Sequence, residues 1–172
     1  MRIVGLDVGE RRIGVAVSDA TRTLARPVGV LRSAALDAEA LEQAAREVSR
    51  LGSEEDGVEH VVVGLPRRLD GTPNEMTSRV ELFARELSVL THLPVTLQDE
   101  RLSSREAESR LAVREKDWRA RKARLDAASA AVILQDYLDT RIVTDRLDTR
   151  VVNDRLDTRP GRPVPIAGDP EF

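Results

Sequence analysis

The chain has 172 residues, of which 41% are hydrophobic and 33% charged, and its formal net charge is −3. This balance is typical of a soluble globular protein and argues against one that coats nucleic acid through net positive charge. Because cysteine is absent, disulfides, thiolate metal sites and cysteine nucleophiles are excluded, and any metal must be held by oxygen ligands or by one of the two histidines. No apolar run approaches the roughly 18 residues that a membrane span needs, and no signal-peptide-like segment precedes the first charges. We therefore expect a cytoplasmic protein without membrane association.

The start of the chain predicts three strands and a helix. The strands are RIVGLDV, RIGVAVS and TLARPVGVL, and the short links between them favour an antiparallel meander. In the segment that follows, apolar residues recur at the spacing of one helical face, and Gly52 is the expected end of that helix. The expected face comprises Leu41, Ala44, Ala45, Val48 and Leu51.

The middle of the chain predicts a strand, a helix and a further strand. VEHVVVGLP is typical of a strand that is covered on both faces, and LPVTLQ predicts the fifth strand. Between them, Thr72 is the predicted N-cap of a helix, with Pro73 at the first helical position and Glu75 completing a capping box. The expected buried stripe of this helix comprises Met76, Val80, Phe83, Leu87 and Leu90.

Two more helices are predicted before the sequence changes character. Ser103 and Glu106 form a second capping box that starts a short helix, and RLDAASAAVILQDYLD predicts a longer apolar helix. One side of that longer helix is expected to carry Leu125, Ala128, Val132 and Gln135. Because strands joined through helices pair in parallel, we predict an α/β fold. Its mixed five-stranded sheet has antiparallel first three strands, then parallel ones, with helices on both faces.

The end of the chain is repetitive. DTRIVTDRL and DTRVVNDRL repeat with a spacing of nine residues, and PGRPVPIAGDPEF follows. Nine residues bring neither a helix nor a strand back into phase, and two repeats are too few for a solenoid. We predict one folded domain over residues 1–139 and a flexible, charged, proline-containing tail over residues 140–172. A partner-binding or dimer-swapping arm is the alternative interpretation of the tail.

Three carboxylates fall at the ends of predicted elements. Asp7 ends the first strand, Glu100 follows the fifth, and Asp126 lies near the start of the last helix. Ligands of α/β sheets collect beyond the carboxyl ends of parallel strands, and the small residues of AASAA allow the last helix to approach the sheet closely. Singly, these acids are explained as a turn residue, a surface ion-pair partner and a first-turn helix residue. Together they predict a site for Mg²⁺ or Mn²⁺ that supports two-metal phosphodiester hydrolysis.

Basic residues near these acids suit a phosphate-bearing substrate. Charge-rich connectors are usually solvated faces, but their nearness to the predicted metal site favours contact with a nucleic-acid backbone. Aromatic residues make up only 2% of the chain, so phosphate contacts should dominate over base stacking. The predicted nucleic-acid-binding residues are Arg11, Arg12, Arg67, Arg101, Lys122 and Arg124.

Four stretches resemble one known family: GLDVGERRIGVAVSD, VVVGLPRRLDGT, LPVTLQDERLSSREAE and LDAASAAVILQDYLD. The family is YqgF (RuvX), bacterial pre-16S rRNA nucleases that look like Holliday-junction resolvases of the ribonuclease H superfamily, and the stretches follow its order over residues 1–139. The resemblance implies a ribonuclease H-like fold and a metal-dependent nuclease with Asp7, Glu100 and Asp126 as catalytic and metal-binding acids. It implies a nucleic-acid substrate, either structured RNA, as in 5′-end processing of pre-16S rRNA, or branched DNA. Because resolvases usually act as dimers, it also implies a homodimer.

Two other functions stay open on the sequence. A sugar-kinase or actin-like ATPase also begins its phosphate-binding hairpin with Asp-x-Gly, but that architecture needs two such domains and this chain has residues for one. A non-catalytic nucleic-acid or transcription partner could retain the same fold, because a fold does not guarantee an activity. Nucleic-acid binding that persists unchanged without divalent metal, or after loss of Asp7, would support this second alternative.

Overall fold

A computed structural model describes residues 1–99 and 127–141. The elements in chain order are β1 (Arg2–Val8), β2 (Arg12–Ser18), β3 (Ala25–Arg32), α1 (Ala38–Gly52), β4 (Val58–Leu65), α2 (Glu75–Thr91), β5 (Val95–Asp99) and α3 (127–141). All five predicted strands are present. The short helix predicted from Ser103 lies outside the described residues, as does all but the first part of the predicted tail.

The five strands form one mixed sheet in the order β3-β2-β1-β4-β5. β2 pairs with β1 and with β3 in antiparallel fashion, whereas β4 pairs with β1 and with β5 in parallel fashion. The predicted fold class is therefore confirmed. Because β1, β4 and β5 are parallel, their carboxyl ends lie together, at what we call the carboxyl end of the sheet; the other end is the amino end.

Alternation along β1 separates the two faces of the sheet. Val4, Leu6 and Val8 belong to a core formed with α1 and α2, which we call the aliphatic face. On the opposite face, which we call the α3 face, a second core joins the sheet to α3. That second core comprises Ile3, Ala16, Val62, Ala130, Ile133, Leu134 and Leu138. Helices therefore cover both faces, as predicted.

The start of α2 differs from the sequence prediction. Thr72 is not the N-cap, because its hydroxyl and its backbone N–H both donate to the Asp70 carboxylate, at 2.6 and 2.9 Å, and hold it in the preceding loop. Asn74 is the N-cap instead, and its side-chain oxygen accepts from the Met76 and Thr77 N–H groups. The capping box exists, two residues later than predicted, because a local aspartate captures the first candidate cap.

Two predicted helix faces also need correction. Leu90 is half exposed near the end of α2, whose buried face comprises Thr77, Val80, Phe83, Ala84 and Leu87. In α3, the predicted side with Ala128, Val132 and Gln135 is only partly buried. The buried residues of α3 are Ala127, Ala130, Ile133, Leu134 and Leu138. The first two turns of this helix, residues 127–134, carry apolar residues on nearly every side, so their periodicity did not identify the face that meets the sheet.

No helix within residues 1–99 and 127–141 is long and apolar enough to cross a membrane.

Candidate active site at the carboxyl end of the sheet

Asp7 lies inside β1, one residue before its end at Val8, as the predicted strand RIVGLDV places it. It pairs with Gly14 of β2. Its side chain is half-buried, whereas all other residues of β1 are buried. By alternation along the strand it belongs to the α3 face, on the same side as Gly5. A carboxylate on this face, at this end of the central strand, is placed where α/β sheets bind ligands.

The register of the parallel strands brings Asp7 level with the end of β5. Leu6 pairs with Val63 of β4, and the next residue of β4, Gly64, pairs with Gln98 of β5. Asp7, Gly64 and Gln98 therefore lie in one row across β1, β4 and β5. The described part of β5 ends at Asp99, one residue after Gln98. The end of β5 thus lies two strands away from Asp7 at the carboxyl end of the sheet.

The backbone of α3 approaches β1 very closely at Gly5. A Cβ atom added at Gly5 would lie 2.8 Å from Leu134 Cβ and 3.0 Å from the Ala130 carbonyl oxygen. Both separations are shorter than ordinary van der Waals contacts between heavy atoms. Helix and strand can therefore meet at this distance only because residue 5 has no side chain.

The direction of α3 follows from its contacts at the two ends of β1. Ala130 lies against Gly5, whereas Tyr137 stacks on His60 with ring centroids 5.8 Å apart, and His60 pairs with Ile3 at the start of β1. As the residue number rises along α3, the position along β1 therefore falls. α3 runs antiparallel to β1, and its N-terminal end points toward the carboxyl end of the sheet.

An open concavity of about 330 Å³ lies beside Asp7. The β1–β2 hairpin forms one wall, closed by a hydrogen bond from the Gly9 N–H to the Arg12 carbonyl oxygen at 2.8 Å. A Cβ on Gly9 would lie only 3.2 Å from that carbonyl oxygen, so the small residue suits this tight turn. Among the described residues, the lining comprises Asp7, Gly9, Glu10, Arg11, Arg12 and Gly14.

Two carboxylates, of Asp7 and Glu10, and two guanidinium groups, of Arg11 and Arg12, line the concavity. Arg11 is exposed and Arg12 half-buried, and both belong to the hairpin that forms the wall. The exposed carboxylate of Glu10 is 3.5 Å from the Arg79 guanidinium. Arg67 lies on the loop that follows β4, also at the carboxyl end, and its guanidinium donates to the Gly71 carbonyl oxygen at 3.4 Å. Cationic side chains thus flank one half-buried carboxylate, which suits a phosphate-bearing ligand.

The structure brings together part of the predicted site. Asp7, Arg11, Arg12 and Arg67 all lie at the carboxyl end of the sheet. The other predicted site residues lie outside the described residues: Glu100, Arg101, Lys122, Arg124 and Asp126. Within residues 1–99 and 127–141, no three His, Asp or Glu side chains are grouped so that they could hold a metal ion. The predicted three-acid cluster therefore stays a prediction, with Asp7 as its described member.

Sequence reasoning missed two glycines that shape the site. Gly5 allows α3 to reach β1, and Gly14, opposite Asp7, lines the concavity without a side chain. Both interrupt apolar strands, and a glycine within a strand often marks the close approach of another backbone or a ligand. Pairing the first two strands through their hairpin would have placed Gly14 opposite Asp7.

The family model described as "RuvX: Holliday junction resolvase" matches residues 1–140. A relative from Anaeromyxobacter sp. (strain Fw109-5), named "Putative pre-16S rRNA nuclease", is 45% identical over 143 residues, covering 82% of this chain and 98% of the relative. A relative of the same name from Chloroflexus aurantiacus (strain J-10-fl) is 42% identical over 81% of this chain and 87% of its own length.

Among solved structures, the chain is similar to the fowlpox virus resolvase, crystallised with its substrate Holliday junction DNA. The TM-score is 0.52 with 11% sequence identity, and the match covers 81% of this chain and 98% of that chain. At this identity the likeness concerns the fold alone, and it agrees with the mixed sheet described above.

Proposed function

The chain belongs to the RuvX family, and from this membership we propose that it is a divalent-metal-dependent nuclease that processes the 5′ end of pre-16S rRNA in the cytoplasm. The activity is hydrolysis of phosphodiester bonds. The relatives at 45% and 42% identity are named "Putative pre-16S rRNA nuclease", which supports RNA as the substrate. The matched family model is described as a Holliday junction resolvase, which makes branched DNA the second candidate.

The observation that carries this proposal is the placement of Asp7. Its carboxylate is half-buried at the carboxyl end of the central strand, on the α3 face, beside an open concavity with arginines on its wall. A structural aspartate in a turn would need none of these surroundings. A carboxylate that must reach both a cation and a phosphate group needs all of them.

The described residues also agree with a carboxylate cluster around Asp7. The three steps from residue 127 to Ala130 cover about 4.5 Å of helix, and the two steps from Gly5 to Asp7 cover about 7 Å of strand. Since Ala130 lies against Gly5, the start of α3 is level with Asp7. In the sequence, Asp126 directly precedes residue 127, the first residue of α3, and Glu100 directly follows Asp99, the last residue of β5. We therefore propose Asp7, Glu100 and Asp126 as the catalytic and metal-binding acids.

The donor chemistry fits Mg²⁺ or Mn²⁺. Both cations prefer carboxylate oxygens, the chain has no thiolate to offer, and the concavity leaves space beside the Asp7 carboxylate. When bound, such cations activate a water molecule and stabilise the leaving oxygen of the phosphodiester. The acids of the chain would hold them at one place on the sheet, where the rigid strand β1 fixes the Asp7 backbone.

The arginines of the described site are proposed to orient the substrate. Arg11, Arg12 and Arg67 are placed to contact backbone phosphates on the hairpin side and on the loop side of Asp7. We extend the same role to Arg101, Lys122 and Arg124. These contacts carry no base information, so selectivity must come from the shape of the substrate or from other residues. For a four-way junction, two symmetric cuts would further require a homodimer.

The proposal is tested by cleavage of matched labelled substrates: single-stranded RNA, a structured RNA resembling the end of pre-16S rRNA, single-stranded DNA and a four-way DNA junction. Each is incubated with Mg²⁺, Mn²⁺ or a chelator. Asp7→Asn keeps the size of the side chain and removes its charge. Glu59→Gln is the matched control, since Glu59 also lies on a central strand but at the amino end, where it pairs with Arg22.

We expect metal-dependent cutting of the structured RNA that Asp7→Asn loses by at least a hundredfold, because removal of a metal ligand disables the reaction. Glu59→Gln should cut as the wild type does. Preference for the junction would select the DNA alternative. Cutting by Asp7→Asn with the wild-type metal dependence would refute the proposed acid cluster, and intact binding without any cutting would favour the non-catalytic partner.

A further inference from the structure

Leu69 is 93% exposed at the tip of the loop between β4 and α2. A single exposed leucine needs no explanation in general. This one differs in its surroundings, because it directly follows the exposed arginines Arg67 and Arg68 and lies at the carboxyl end of the sheet, as does Asp7. The loop therefore combines an exposed apolar side chain at its tip with two exposed cationic residues at its base.

The loop that carries Leu69 is held by its own hydrogen bonds. The Arg68 N–H donates to the Thr72 carbonyl oxygen at 3.0 Å, and the Gly71 N–H donates to the Arg68 carbonyl oxygen at 2.8 Å. Gly71 has a φ of 86°, which is the left-handed conformation that closes a three-residue hairpin loop. The Asp70 carboxylate accepts from the Thr72 N–H at 2.9 Å. Leu69 is therefore presented on a defined turn.

The base of this loop is fixed to the rest of the fold. Arg67 and Pro73 form an antiparallel bridge across the base, and the Arg67 guanidinium donates to the Gly71 carbonyl oxygen. The Thr77 hydroxyl of α2 donates to the Pro66 carbonyl oxygen at 2.6 Å. The loop is thus tied both to itself and to the first turn of α2. A residue at its tip keeps its position relative to β4 and hence to the neighbouring strand β1.

We propose that Leu69 is a wedge that enters between stacked bases of the bound nucleic acid, while Arg67 and Arg68 hold the adjacent phosphates. Proteins that unstack bases insert apolar side chains such as leucine, and cationic residues beside the wedge favour nucleic acid over an apolar protein partner. The inference rests on the proposed function. It adds that the site selects stacked, structured substrates and opens one base step near the cleavage position.

In this role Leu69 is a positioning residue, because it would contact bases and not the reacting phosphate. Its removal should therefore affect stacked substrates and spare those without stacking to disrupt. A merely structural role would affect both kinds equally. The difference between structured and unstructured substrates separates the two interpretations.

The test uses Asp7→Asn protein, which should bind without cutting, and probes carrying 2-aminopurine, whose fluorescence rises when it is unstacked. One probe is an RNA stem next to a loop, and the other is a four-way DNA junction. Leu69→Ala and Leu69→Met are introduced into this background. Leu24→Ala is the matched control, since Leu24 is also an exposed leucine on a turn but lies between β2 and β3, at the amino end.

We expect the fluorescence rise on binding to be lost in Leu69→Ala, restored in Leu69→Met and unchanged in Leu24→Ala, with similar amounts of nucleic acid bound. In the cleaving protein, Leu69→Ala should slow cutting of the structured probe about tenfold, because base unstacking is no longer favoured. Cutting of single-stranded RNA should stay at the wild-type rate.

The same data distinguish failure of the wedge from failure of the nuclease proposal. A fluorescence rise on binding that is as large in Leu69→Ala as in the protein with Leu69, or no rise on either bound probe, overturns the wedge even if cleavage is confirmed. A protein that binds and unstacks the probes but never cuts leaves the wedge supported and refutes the nuclease. A rise on only one probe identifies RNA or DNA as the nucleic acid that the wedge opens. Absence of binding to both probes overturns the wedge.

Discussion

The two faces of the sheet are built from the same strands but differ in the size of the residues they use. On the aliphatic face, β1 contributes Val4, Leu6 and Val8 to a core with α1 and α2. On the α3 face, the same strand contributes Ile3, Gly5 and Asp7, that is, one large residue, one residue without a side chain and one carboxylate. The aliphatic face is packed with large side chains, whereas on the α3 face the backbones of β1 and α3 lie in contact at Gly5.

The difference shows how a small domain can combine stability with a site. The aliphatic face buries large side chains, which is the main source of folding free energy. The α3 face buries no side chain at Gly5. The backbone of α3 therefore lies directly on β1, with the N-terminal end of the helix toward Asp7. Substitutions on the two faces should therefore separate stability from activity.

Leu87→Ala should give the largest loss of stability. Leu87 of α2 is fully buried in the aliphatic core, and truncation of such a leucine costs about 2–5 kcal/mol through lost burial and the cavity that remains. The measurement is urea unfolding followed by circular dichroism. Cleavage by the folded protein, assayed well below its unfolding midpoint, should stay near the wild-type rate. A parallel loss of activity would show that the two faces are not independent.

Gly5→Ala should give a smaller loss of stability and a larger loss of activity. The added methyl would lie 2.8 Å from Leu134 Cβ and 3.0 Å from the Ala130 carbonyl oxygen, so α3 must shift. Overpacking of this kind costs about 1–3 kcal/mol. If Asp126 is a ligand, as proposed, displacement of α3 by about 1 Å should slow cleavage about a hundredfold.

Gly29→Ala is the matched control for that prediction. Gly29 also lies in a strand of the sheet, but a Cβ there meets no atom within 4 Å. Its replacement should leave cleavage unchanged and alter the free energy of unfolding by less than about 1 kcal/mol. If Gly5→Ala cleaves as fast as Gly29→Ala, the close approach of α3 is only a packing solution and plays no part in the site.

Much of the fold was predictable because patterning and topology rules agree. The apolar strand 58–65 and the short links of the first three strands were enough for the mixed sheet. The exact cap of α2 was not predictable, because Asp70 and Asn74 both compete for backbone N–H groups and only the folded loop decides between them. The buried side of α3 was not predicted correctly either, because its first two turns, residues 127–134, carry apolar residues on nearly every side.

The site was predictable in its location and less so in its shape. Asp7 was predictable as a site residue because a carboxylate interrupts a buried strand, and Arg11 and Arg12 were predictable because they lie in the hairpin that follows it. The role of Gly5 depends on a contact with residues about 130 positions further along the chain, and no local pattern reveals such a contact. The exposure of Leu69 likewise depends on the hydrogen bonds that turn its loop outward.

The smallest predicted effect concerns the amino end of the α3 face, where the turn after β2 anchors α3. The Gln135 side chain accepts from the Ala25 N–H at 2.9 Å and donates to the Thr23 carbonyl oxygen at 3.0 Å. Asp19 organises this turn, since its carboxylate accepts from the Thr21 hydroxyl and from the Leu24 N–H. These hydrogen bonds hold the pKa of Asp19 well below its ordinary value.

Because this pKa is lower in the folded state, the charged Asp19 stabilises the fold above the ordinary aspartate pKa of about 4, and the contribution is lost as pH falls below it. Asp19→Asn does not titrate, so the difference in Tm between wild type and variant should be largest near pH 7 and shrink below about pH 4. Thr21→Ala removes the hydrogen bond with the largest effect on this pKa, and its difference from wild type should shrink over the same range. Differences that stay constant from neutral to acidic pH would show that Asp19 acts through the shape of the turn alone, and that the anchor of α3 at this end does not depend on charge.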